Sequence, residues 1–171
     1  MVQITQCLEK GNRMSKKTDT RHLRFLEAVE LSGTLGAVTI AQSDAVFNGH
    51  LDADFRNCGT DLPSADTTPA TALVYEMMRD GDFNTLFSSL GDDWQHHLPT
   101  QGQIVAFSRE HRDRLRQNGQ GTLFPFQVEG QYEPFVAGVV VGAGRLDAVC
   151  HRLGLGHVWS AVCRHRVVVL Q

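Results

Sequence analysis

The sequence predicts an α+β fold, with short helices packed on an antiparallel, largely C-terminal β-sheet. Two observations carry this expectation. From Gln120 to Gln171, short apolar runs are cut by glycine at nearly every joint, the pattern of a succession of strands. Upstream, apolar residues recur at helical spacing, but only over short stretches. With 42% hydrophobic and 20% charged residues in 171, the chain has the composition and length to bury a core.

Met1 to Asp19 reads as a flexible polar arm, with Met14 as an alternative start, and residues 20 to 171 as a single α+β domain. Leu23, Phe25, Leu26 and Val29 suggest a short amphipathic helix that stops near Gly33. Between Leu35 and Phe55 the β-branched run and the Asn48-Gly49 pair predict about three short strands with a tight hairpin. Arg56 to Asp66 reads as a loop. Thr68-Pro69 offers a helix N-terminus, and Ala70, Leu73, Val74, Met77 and Met78 keep helical spacing after it. Asp82 is placed to cap a second helix carrying Phe83, Leu86, Phe87 and Leu90.

Gln103 to Phe107 reads as a short strand, followed by a polar surface helix from Ser108 to Asn118 in which Leu115 is the clear core residue. Leu123 to Val128 alternates as a strand. Pro125 within it lacks an N–H and argues for an edge or a bulge. Phe135 to Val141 is apolar on both faces, as in a central strand. Arg145 to Leu153 fits a helix or a strand. His157 to Cys163 and Val167 to Leu170 read as two strands bent apart near Arg164.

Leu23, Phe25, Val29 and Gly33-Thr34 resemble the start of the helix-turn-helix in LysR-type regulators. Val38-Thr39-Ile40 stands where that family has an alanine-rich second helix. No lysine or arginine lies between Phe25 and Phe55, so a recognition helix there could not hold phosphates. No family assignment is drawn from it.

The net charge of −3 is unevenly laid out. Asp44 to Asp93 carries ten acidic and two basic residues, whereas Met1 to Arg24 carries six basic and two acidic ones. Solvated faces account for such segments in many proteins. The sharper expectation is an acidic central face, with Asp52, Asp54, Asp80 and Asp82 at its heart, that meets a protein with a basic surface. The expected function is therefore macromolecular binding. A metal-assisted hydrolase is the alternative and a nucleic-acid-associated protein the third reading.

Five ligand-type residues fall close together near the C-terminus: Cys150, His151, His157, Cys163 and His165. Of these, His151, His157, Cys163 and His165 are the candidate zinc ligands, although the CxxC knuckle of structural zinc sites is absent. The expectation is no cofactor, with zinc as the exception these residues allow. Asp92-Asp93-Trp94-Gln95-His96-His97 has suitable ligand types without a motif spacing. Arg109, Arg112, Arg114 and Arg116 form a basic set interleaved with Glu110 and Asp113, which argues against nucleic acid. Gly142-Ala143-Gly144 fails as a dinucleotide fingerprint because Asp147 stands where the third glycine belongs. No apolar run reaches the roughly 20 residues of a membrane span. Without an apolar leader, and with four scattered cysteines, the expected location is cytoplasmic.

Overall fold

The computed structural model describes residues 21–171. The expected N-terminal arm and the Met14 start lie outside the described residues. Six strands form one sheet: β1 (Leu23–Leu31), β2 (Ala70–Met77), β3 (Gly121–Phe126), β4 (Phe135–Gly142), β5 (Arg145–Arg152) and β6 (Arg166–Leu170). Their order is β1-β2-β6-β3-β4-β5. Among the described residues three short α-helices accompany it: α1 (Asp54–Asn57), α2 (Phe83–Ser88) and α3 (Gln101–Glu110). The α+β class holds. The sheet is mixed rather than antiparallel, because β3 and β6 run parallel, and β1 and β2 come from the N-terminal half.

Side chains alternate across this sheet and feed two separate cores. On one face Ala72, Val74, Phe124, Phe126, Phe135, Ala137, Val139 and Val168 meet Ile104 and Phe107 of α3, together with Ile40, Phe47 and Phe55. On the other, Leu123, Val136, Val167 and Val169 meet Phe83, Leu86, Phe87 and Trp94. The sheet is thus covered on both sides. This is why β4 reads as a continuous apolar run, and Phe135 to Val139 are all buried.

Two expected helices are strands. Leu23–Leu31 pairs antiparallel with β2, with a bulge between Phe25 and Glu27. Ala70–Met77 is held between β1 and β6. A strand with apolar residues on both faces imitates helical spacing, and pairing with neighbouring strands outweighs the weak local preference. The expected strand at Gln103 to Phe107 is instead the middle of α3. Its N-terminus carries a full capping box between Thr100 and Gln103, and every residue from Gln101 to Ser108 is buried. The polar helix expected after Ser108 ends at Glu110 and gives way to a short 3-10 turn at Arg112–Arg114, while Leu115 is fully buried. The α2 helix forms as expected, with Asp82 accepting from the Thr85 N–H at 2.8 Å.

Pro125 lies in an inner strand, not an edge. The parallel ladder between β3 and β6 involves only Thr122 and Leu123, so at Pro125 the strand pairs with β4 alone and no ladder bond to β6 is lost. Arg145 to Arg152 resolves as a strand, joined to β4 by a tight turn in which Ala143 and Gly144 both have positive φ, 46° and 77°. His157 to Cys163 is a loop with a 3-10 turn at Ala161–Cys163. The chain then bends at Arg164, φ 49°, into β6.

The region between Leu35 and Phe55 forms no strands and no hairpin. It closes the outer edge of β5. Asn48 Oδ1 accepts from the Leu146 N–H, His50 O from the Ala148 N–H, and Asp52 Oδ2 from the Cys150 N–H. A Cβ at Gly49 would fall 2.0 Å from the Asp147 Oδ1 that accepts from the His50 N–H, so a larger residue there would push that carboxylate aside. The β1 edge is blunted differently, by its bulge, by His111 Nε2 at 2.8 Å from Glu30 O, and by the Arg114–Glu27 ion pair at 3.0 Å.

Candidate functional site

Trp159 is the point on which the ligand-type residues converge. Its backbone pairs with Gly81 in an isolated antiparallel bridge. Its indole lies over Phe83, with ring centroids 5.3 Å apart, and meets three imidazoles: His157 at 4.8 Å, His165 at 5.1 Å and His151 at 5.6 Å. Glycines lie against two of these rings. A Cβ at Gly138 would come within 3.4 Å of His151 Nε2, and one at Gly121 within 3.4 Å of His165 Nδ1. The Trp159 Nε1–H is buried without a hydrogen-bond partner among the described residues.

Burial holds His151 and His165 below the ordinary histidine pKa, and the nearby His157 pushes both in the same direction. Asp52 opposes the shift at His151. Arg116 adds to it at His165, where a Gly121 backbone hydrogen bond opposes it. His165 Nδ1 lies 3.1 Å from the Gly121 N and 3.3 Å from the Gly121 O, so the Gly121 backbone is its hydrogen-bond partner in either tautomer. Burial thus favours the neutral form of His151 and His165, which stand with His157 around an apolar ring.

Three of the four zinc candidates, His151, His157 and His165, therefore come together, though around an indole rather than facing a common point. Cys163 lies in the adjoining 3-10 turn and shows its backbone oxygen to Arg116 Nε at 3.3 Å. Among the described residues no group of three or more His, Cys, Asp or Glu side chains could hold a metal ion. Asp93 and His97 pair with each other at 3.5 Å, beside a Trp94 that is buried against Phe87. The four arginines of the basic set are engaged separately: Arg109 with Glu110, Arg112 with Gly144 O, Arg114 with Glu27 and Asp113, and Arg116 with Cys163 O.

The four central aspartates fall into two pairs. Asp80 and Asp82 flank Gly81. The Asp80 carboxylate accepts from the Ala161 N–H at 2.7 Å, and the hydrogen bonds from Thr85 hold the Asp82 carboxyl below its ordinary pKa. Asp52 and Asp54 lie at the β5 edge, where Asp52 accepts from the Asp54 and Cys150 N–H groups. Next to them is an open cavity of about 440 Å³, lined by Asp54, Cys58, Glu133, Cys150, His151 and Arg152. Cys58 and Trp159 escape a reading of the sequence. Neither belongs to a motif, and their neighbours arrive from distant parts of the chain. The only local signal for Trp159 is its place among the three histidines.

Comparison of the chain with protein-family models, with characterised proteins and with solved structures gave no match.

Proposed function

We propose that the protein acts by binding another protein, one that presents basic and apolar side chains together, at the surface around the Gly81–Trp159 bridge. The bridge itself is the observation that supports this reading. It brings Asp80 and Asp82 alongside the loop that carries Val158 and Val162, which are 60% and 89% exposed. Met78, two residues before Asp80, is 43% exposed. The bond from the Ala161 N–H to Asp80 fixes that loop while Val162 stays in solvent. Exposed apolar side chains grouped with carboxylates are the elements of a recognition surface with an apolar centre and a charged rim.

Asp52 and Asp54 belong to a second acidic area at the β5 edge, which extends the field that draws in a basic partner. No helix among the described residues is long and apolar enough to cross a membrane.

The test compares wild type with Val162→Glu and Met78→Glu, both at exposed positions. A partner captured by the wild-type protein is purified, and its affinity is measured against all three proteins at low and high salt. The reading requires weaker binding by both variants, and an association rate that drops as the screening length shrinks from about 10 Å at 0.1 M to about 3 Å at 1 M salt. Equal affinity for all three proteins would move the interface elsewhere.

A further inference from the structure

The cavity at the end of β5 holds two thiols that are far apart in sequence. Cys58 follows α1 and is partly exposed, and Cys150 is buried in β5. Both line the same open space, and the Arg152 guanidinium reaches toward Cys58 Sγ, with Nη2 at 3.8 Å. Arg152 is also stacked over Phe135, 5.8 Å from its centroid, which steadies the guanidinium beside the sulfur. The Asp52 carboxylate holds the Cys150 backbone from the other side. Segment 52–58 and the end of β5 thus form one unit whose only soft nucleophiles are this pair.

We propose that Cys58 and Cys150 form a hydroperoxide-reactive thiol pair, with Cys58 attacking the oxidant and Cys150 resolving the product. In the first step the Cys58 sulfur attacks one peroxide oxygen. The O–O bond breaks, a sulfenic acid forms on Cys58, and the second oxygen leaves with a proton as water or alcohol. In the second step the Cys150 sulfur attacks the Cys58 sulfur. The S–O bond breaks, and the hydroxyl leaves with the Cys150 proton as water. The thiols are oxidised to a disulfide and the hydroperoxide is reduced, so electrons balance.

The division of roles follows from access. Cys58 meets solvent and the guanidinium. Burial, and next the charge of Cys58, push the Cys150 thiol up to about 12, so it stays protonated while Cys58 is reduced. The bond that forms would fasten segment 52–58 to the β5 strand whose edge it already covers.

The experiment treats the full chain with hydrogen peroxide and follows intact mass and peptide mapping. The expected result is the loss of two hydrogens and one intramolecular Cys58–Cys150 link. Cys150→Ser should halt at a Cys58 sulfenic acid that dimedone traps, and Cys58→Ser should leave Cys150 unmodified. Circular dichroism establishes that each variant is folded. If one is not, brief iodoacetamide labelling of the native wild type replaces it, with Cys58 expected to react before Cys150. A link that uses Cys7 or Cys163, a link between chains, labelling of Cys150 first, or no oxidation at Cys58 would overturn the proposal.

Discussion

Gly81 and Trp159 exchange both backbone hydrogen bonds, Gly81 N–H to Trp159 O at 3.2 Å and Trp159 N–H to Gly81 O at 2.9 Å. This pair lies outside the six-stranded sheet, yet it fixes the loop that covers one of its faces. Gly81 suits the position because a Cβ would press on the Thr85 side chain at 3.3 Å. The loop's side of the bargain is packing, since Trp159 covers Phe83 and the imidazoles around it.

Phe83 is the side chain on which this arrangement rests. It is fully buried and contacts Phe87, His151 and Trp159. Phe83→Ala should destabilise the protein by about 3–5 kcal/mol, the cost of removing a buried aromatic and leaving a cavity. Urea unfolding measures it. A loss below about 1 kcal/mol would show that Trp159 refills the space.

Stability should fall as solution becomes mildly acidic. The folded pKa values of His151 and His165 lie below those of the unfolded chain, so the unfolded state binds more protons between the two. The stabilisation is complete above the unfolded value of about 6.5. It is lost as pH falls from there toward the folded values and then levels off. Asp52 and His157 face His151, while Arg116 and His157 face His165, and the mutual repulsion of the imidazoles reinforces the loss. The urea midpoint should drop between about pH 7 and about pH 5, and less so when both residues are replaced by glutamine. A midpoint constant across that range would contradict the assignment.

Val139→Asp should abolish folding. Val139 is completely buried in β4, between β3 and β5, within the core beneath α3. An unpaired carboxylate there costs several kcal/mol, comparable to the roughly 5–15 kcal/mol stability of a domain. Expression without a cooperative thermal transition is the expected outcome. A soluble, cooperatively folding variant would mean that the strand tolerates water on that face.

What the chain determines by itself is local. Asp82 caps α2 because its carboxylate and the Thr85 N–H are three residues apart. Phe135 to Val141 reads as a covered strand because both its faces are apolar. The Gly142-Ala143-Gly144 joint turns the chain because two successive residues take positive φ. The α+β class rests on such features. Tertiary structure decided whatever depends on partners distant in sequence. Leu23–Leu31 and Ala70–Met77 have helical spacing and become strands because they pair with each other across some forty residues, and β6, from the far end of the chain, completes the ladder on the other side of Ala70–Met77. Asn48-Gly49 looks like a hairpin turn and instead closes the β5 edge, since the N–H and C=O it satisfies both belong to Leu146. The histidines at 151, 157 and 165 are visible as a group, but Trp159, Gly81 and Phe83 as their common frame are not. Cys58 beside Cys150 is equally hidden. Hydrogen-bond ladders and buried contacts between remote segments contribute more free energy than the propensity of any short window, and their pairing is set by strand order.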